Sequence, residues 1–182
     1  MTFGVGDTVV YPQHGAGEIL NIVEQDFQGV PRLFYNIRIL HNDMTVMVPV
    51  DGVEKAGIRA VMTEPMVDEV LGVLRNDPTK MPKDWNRRIK HNREKIKSGD
   101  VLEIADVLRN LALRQQEKGL STGEKQMFVK AKKILSSELM YAKDMSEDEA
   151  AVWLDDVLSR AGQEKTPKPR AKAKAKAAPA SA

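Results

Sequence analysis

Cysteine is absent from the 182 residues. That removes disulfide frameworks, thiolate metal sites and cysteine nucleophiles together. Histidine is scarce: His14, His41 and His91 are the only three, and no two of them have a metal-ligand spacing. No apolar run approaches the roughly 20 residues of a membrane-spanning helix. The opening MTFGVGDTVVYP lacks the charged-then-apolar layout of a secretion signal. No Walker pattern occurs, and Gly15-Ala16-Gly17 is too short to cradle a phosphate. These absences point away from an enzyme, a cofactor or a membrane, and toward a monomeric cytoplasmic binding protein.

What is present is unevenly distributed. A formal net charge of +2 conceals blocks of opposite sign. Residues 1–62 hold four basic and seven acidic residues, −3, and residues 138–160 hold two and seven, −5. Residues 83–97 and 109–133 each hold seven basic against two acidic, +5, and residues 163–182 hold six against one, also +5. Basic blocks inside a near-neutral chain indicate a local anionic partner.

The first 60 residues have the period of strands. Leu33, Tyr35, Ile37 and Ile39 alternate with Arg32, Phe34, Asn36 and Arg38, a period of two. Strands are expected over 7–11, 18–24, 32–40 and 44–48, with turns at Gln28-Gly29 and Asn42-Asp43. In the last strand Met44, Val46 and Val48 are expected inward, and Met47 and Pro49 outward.

From Thr63 the period changes to that of helices, expected near 64–75, 83–97, 100–118, 122–143 and 147–160. Asp100 precedes Glu103, Ser121 precedes Glu124 and Ser146 precedes Glu149, each at capping-box spacing. Pro65 and Pro82 suit first turns, and Gly119 suits a helix end. One apolar face comprises Val101, Ile104, Ala105, Leu108, Leu111 and Ala112. Another comprises Phe128, Ala131, Leu135, Leu139 and Ala142. The fold class is therefore α+β. A small Tudor- or SH3-like β-domain spans 1–60, a compact helical domain 61–161, and a Lys/Ala/Pro-rich tail 162–182. The tail has no large apolar side chain to bury and is expected to be disordered.

One catalytic string occurs by letter: Gly119-Leu120-Ser121-Thr122-Gly123 is G-x-S-x-G. A nucleophile elbow needs a strand before the serine. Here a helix precedes it, and Ser121 already serves as an N-cap. Asp155 and Asp156 read as a solvated acidic face.

The segment 83–97 is the most informative. It carries Arg87, Arg88, Lys90, Arg93, Lys95 and Lys97, an array able to neutralise phosphates. Lys125, Lys130 and Lys133 could extend it. By periodicity Trp85 joins Ile89 and Ile96 in a core stripe. The alternative is an exposed aromatic wedge beside cations, aimed at a base step.

Val5-Gly-Asp-Thr-Val-Val-Tyr-Pro12 followed by His14-Gly-Ala-Gly17 resembles the opening of CarD-type bacterial transcription regulators, the CdnL branch in particular. Val46–Pro49, Val53–Arg59, Trp85–Arg88, Lys95–Asp100 and Gly119–Lys125 fit the same pattern in register. The N-terminal half also resembles the polymerase-interacting module of the transcription-repair coupling factor, although no motor motif is present. The resemblance implies that the Tudor-like domain binds the RNA polymerase β subunit, at Gln25, Ile37, Met47 and Pro49. It implies that the helical domain contacts promoter DNA near the upstream edge of the melted region and stabilises the open complex. Trp85 would be the wedge, Arg87, Lys90 and Lys125 backbone contacts, and Arg88 and Lys130 further DNA-binding cations. Some family members carry arginine where this chain has Gln25 and Met47, so its polymerase contact is expected to be more apolar. The resemblance also implies nucleoid association. A nucleoid-type DNA-coating protein and a ribosome-associated RNA-binding factor are the rival readings.

Overall fold

Two consecutive residues with positive φ, Gln28 at 59° and Gly29 at 82°, make the tight turn that sets the sheet's longest ribbon. The Asp26 carboxylate locks this turn by accepting from the Gly29 N–H at 2.7 Å. The computed structural model describes residues 2–12, 14–40 and 42–163. In it, β2 (Gly15–Phe27) and β3 (Val30–Ile39) pair antiparallel to their tips, Phe27 opposite Val30. Both run longer than their alternation alone suggests, because a two-residue turn allows pairing up to its edge. With β1 (Thr8–Tyr11), β4 (Thr45–Pro49) and β5 (Arg59–Ala60) they form one antiparallel sheet in the order β4-β3-β2-β1-β5. A turn of 3-10 helix (Val50–Gly52) and a short helix α1 (Val53–Ala56) fold back on it. Val9, Ile19, Tyr35, Ile37, Ile39, Val48, Val53 and Ile58 form the core on this side. The Tyr35 hydroxyl closes it by donating to the Phe3 carbonyl at 2.9 Å.

Five longer helices follow: α2 (Glu64–Arg75), α3 (Trp85–Ser98), α4 (Val101–Lys118), α5 (Thr122–Ala142) and α6 (Glu147–Gln163). The Ser121–Glu124 and Ser146–Glu149 pairs form reciprocal capping boxes. Asp100 differs. Its carboxylate caps the N–H groups of Leu102 and Glu103, but Glu103 turns away to Lys95, 3.6 Å distant, so the box is one-sided. Pro82 lies before α3 rather than in its first turn. All six residues of the expected α4 face are buried, as are Ala131, Leu135 and Leu139 of α5. They pack with Val67, Val70 and Leu74 of α2 and Ala150 and Leu154 of α6 into a second core.

The segment between α2 and α3 has few apolar residues and is held by polar ones instead. The Thr79 hydroxyl donates to Asp106 at 3.0 Å, Lys95 donates to the same carboxylate at 2.8 Å, and Arg109 pairs with it as well. Arg109 also donates to the Val73 carbonyl at 2.8 Å. The loop that delivers the start of α3 is thereby fastened to α4. His41 and residues 164–182, the greater part of the expected tail, lie outside the described residues.

The sheet and helices meet at α5. Arg59 in β5 forks onto Glu138, Nη1 to Oε2 at 2.9 Å and Nη2 to Oε1 at 2.8 Å, and its Nε and Nη2 also donate to the Gly99 carbonyl. Glu138 is fully buried. Beside it the Ala16 N–H donates to Ser137 Oγ at 3.0 Å. Gly15 is left-handed, φ 84°, and a Cβ there would lie 2.7 Å from the same oxygen. Removing one partner of a buried pair strands the other charge, whereas replacing both with apolar groups removes the penalty. Arg59→Ala should therefore cost about 3 kcal/mol or more. The double variant Arg59→Met, Glu138→Leu should recover most of that loss in denaturant unfolding. An equal loss in both would contradict a desolvation-dominated joint.

Candidate nucleic-acid and partner interfaces

The first turn of α3 places an aromatic side chain at the surface. Asp84 caps it by accepting from the Arg87 N–H at 2.9 Å, and Trp85 is the first helical residue. The core stripe expected from periodicity holds for Ile89 and Ile96, which are buried, but not for Trp85, which is 49% exposed. The reason is a tether. The indole Nε1 donates to Ser121 Oγ at 3.1 Å, which keeps the ring against the start of α5 instead of inside the bundle.

Ser121 is the outer end of a hydrogen-bonded chain that runs inward. Its hydroxyl donates to Glu124 Oε2 at 2.9 Å, and its N–H donates to the same oxygen at 3.0 Å. The other carboxylate oxygen accepts from Arg88 Nε at 2.6 Å. Arg114 Nε stands 3.1 Å from that oxygen as an ion pair, but outside hydrogen-bonding alignment. Glu124 is 1% exposed. Burial pushes its carboxyl up, but the Ser121 backbone N–H, the Arg88 guanidinium and the Ser121 hydroxyl together hold it below the ordinary glutamate range. Asp106 follows the same rule: burial raises it, while Lys95, Arg109 and Thr79 outweigh burial and depress it.

The cations around Trp85 divide into two kinds. Arg87, Lys90, Lys125 and Lys130 project into solvent. The expectation for Arg88 needs correction. It is 5% exposed, and its Nε and Nη1 donate to Glu124 and to the carbonyls of Pro82 and Lys83, so it braces α3 against α5 instead of projecting into solvent. Lys95 is likewise engaged internally. Arg93, Lys97 and Lys130 line a 320 Å³ groove between α3 and α5, together with Trp85. Through Gln126 and Lys130 it joins a 550 Å³ groove bordered by His14, Lys125 and Lys133. Sequence reading missed Ser121 and Glu124 as parts of this site. The capping-box spacing that identified them gave no sign that the same hydroxyl would also bind an indole.

A second surface lies on the sheet. Pairing register puts Met47 with Asn36 and Asn21, and Pro49 with Phe34 and Val23, all on the face turned from the core. Phe27 continues the stripe, its ring 6.4 Å from that of Phe34, and Arg32 lies over Phe27. Phe34 is covered by these neighbours, Met47 is 42% exposed, and Gln25 is exposed beside them. Ile37 is the second correction. It pairs with Val46 and Ile19 on the opposite face and has no exposure, so it supports the sheet and cannot touch a partner. Met44, expected inward, lies before β4 and is 40% exposed.

Two family models cover most of the chain: "CarD-like/TRCF RID domain" matches residues 3–62, and "CarD, C-terminal domain" matches residues 69–155. The chain belongs to the CarD-like family of transcription regulators. A "putative transcription factor YdeB" of Bacillus subtilis (strain 168) is 35% identical over 145 residues, covering 80% of this chain and 95% of that protein. The CarD-like family is of transcription-factor type, not a known enzyme family. The G-x-S-x-G string supplies a helix cap and an indole acceptor here. Among the described residues no cluster of His, Cys, Asp or Glu could hold a metal ion, and no helix is long and apolar enough to cross a membrane.

Because the folded carboxyls of Glu124 and Asp106 are depressed, their stabilisation is fully present above the unfolded carboxylate pKa. It is lost as pH falls through the folded values. Glu124→Gln leaves Arg88 buried without its counter-ion and should cost about 3 kcal/mol at neutral pH. It should also flatten the decline in stability below about pH 4. Urea unfolding across an acid series checks both; an unchanged acid limb would contradict this assignment.

Proposed function

We propose that this CarD-like regulator binds the RNA polymerase β subunit through the outer face of its sheet and promoter DNA through the α3–α5 face, stabilising the open complex. The observation that carries the proposal is Trp85, an indole half in solvent, tethered at Ser121 and flanked by exposed cations. A tryptophan held out of its own core is suited to enter a partly opened base step, a contact of a few kcal/mol gained against unstacking. Arg87, Lys90 and Lys125 would supply phosphate contacts, which position a duplex without reading it. A regulator shifts closed toward open complex only through a difference in affinity for the two. The wedge provides that difference, because a melted edge accepts the ring more readily than stacked duplex. Met47, Pro49 and Phe27 offer polymerase an apolar patch on the edge strand β4 and its neighbours, with Gln25 at the rim.

Trp85→Ala should keep the fold at a cost well below the about 3–5 kcal/mol of a buried tryptophan. It should retain polymerase binding and shorten open-complex lifetime under competitor challenge. A wild-type lifetime would remove the wedge role. Met47→Asp should weaken capture of polymerase about tenfold or more with melting unchanged, since a lone carboxylate would be desolvated at the centre of the patch. Full binding by the folded variant would displace the interface from this face.

A further inference from the structure

Gly123 occupies the second position of α5, where no turn or cap requires glycine. Its φ is not positive, and a Cβ there would meet only Ile89 Cδ1, at an ordinary 3.5 Å. The missing side chain has its consequence at the surface instead. What it leaves open is the 320 Å³ groove beside Trp85.

That groove has a consistent chemistry. Its floor is Ile89 and Met127, its wall is Trp85, and Arg93, Lys97 and Lys130 stand at its rim. None of these three cations makes a salt bridge among the described residues. A flat apolar floor beside an indole suits the face of a nucleobase, and three uncompensated cations suit the phosphates on either side of it.

We infer that this groove receives a single unstacked base of the DNA strand whose step Trp85 opens, stacked on the indole with its flanking phosphates at Arg93, Lys97 and Lys130. The inference rests on the DNA-binding reading above and adds to it a site for the displaced base. The wedge then does more than separate two bases, because it also holds one of them apart.

The test uses the full chain carrying Trp153→Phe, so that Trp85 is the only tryptophan, and follows its fluorescence. Three probes are compared: a fully paired duplex, the same duplex with one unpaired thymine, and that duplex with an abasic spacer replacing the thymine. The unpaired base should quench Trp85 and bind at least fivefold tighter than the abasic duplex. Gly123→Leu, which fills the groove, should abolish that difference and leave paired-duplex affinity within twofold. If Gly123→Leu does not fold, Gln126→Tyr closes the same groove from its exposed side. Equal binding of thymine and abasic probes, or a difference that survives the filled groove, would overturn the inference. So would thymidine monophosphate binding as tightly as the bulged duplex, which would mark a free-nucleotide site. Quenching by no nucleic acid, leaving an apolar protein side chain as the occupant, would overturn it too. Loss of paired-duplex binding in Lys90→Ala with the thymine preference intact separates the cationic surface from the groove. Wild-type protein that fails to bind any duplex refutes the underlying DNA reading instead.

Discussion

A single buried carboxylate organises the helical half of this molecule. Glu124 caps α5, pairs with Arg88 of α3 and faces Arg114 of α4. A carboxylate with no exposure is tolerable only when its lone pairs are filled and its charge is matched, and here three elements supply those groups. The arrangement fixes more than stability. Arg88 sits three residues after Trp85, and Ser121 bridges Glu124 to the indole. The exposed aromatic ring is thus held by the same network that locks three helices. A wedge on a loose side chain would lose rotamer entropy on entering DNA. One already tethered at Ser121 loses less.

The other half contributes a different surface, and the joint determines how the two relate. The Arg59–Glu138 fork and the Ala16–Ser137 hydrogen bond attach β2 and β5 to the middle of α5. The start of α5 carries the Trp85 acceptor. Polar partners at a buried contact specify geometry more strictly than apolar packing, which tolerates sliding. The apolar stripe on the sheet and the cationic groove on the helices are therefore presented at a fixed separation. That arrangement suits the proposed contact with polymerase and DNA together.

Much of the fold was legible because local signals agreed with one another. Period-two alternation through Tyr35, Ile37 and Ile39, the Gln28-Gly29 turn, and capping spacings at Ser121 and Ser146 all fall where the elements lie. Legibility failed where a side chain's partner is distant in sequence. Periodicity assigned Trp85 to the core, but a hydroxyl 36 residues away holds it outside. Charge counting placed Arg88 on the surface with its neighbours, but its partner is Glu124, equally remote. Ile37 shows the reverse error: the resemblance implied a contact, whereas its own alternation already placed it on the core face. Composition reports the sign of a surface, and only tertiary contacts decide which charges remain available on it.

In the proposed complex, one surface of this chain faces DNA while another faces polymerase. Photocrosslinking measures this directly, with a photoreactive phenylalanine analogue placed in turn at positions 85 and 47 and the protein assembled on a polymerase–promoter open complex. Position 85 is expected to crosslink to promoter DNA at the upstream edge of the melted region, and position 47 to the β subunit. Crosslinking of position 85 to polymerase alone, or of position 47 to DNA, would contradict this division of surfaces.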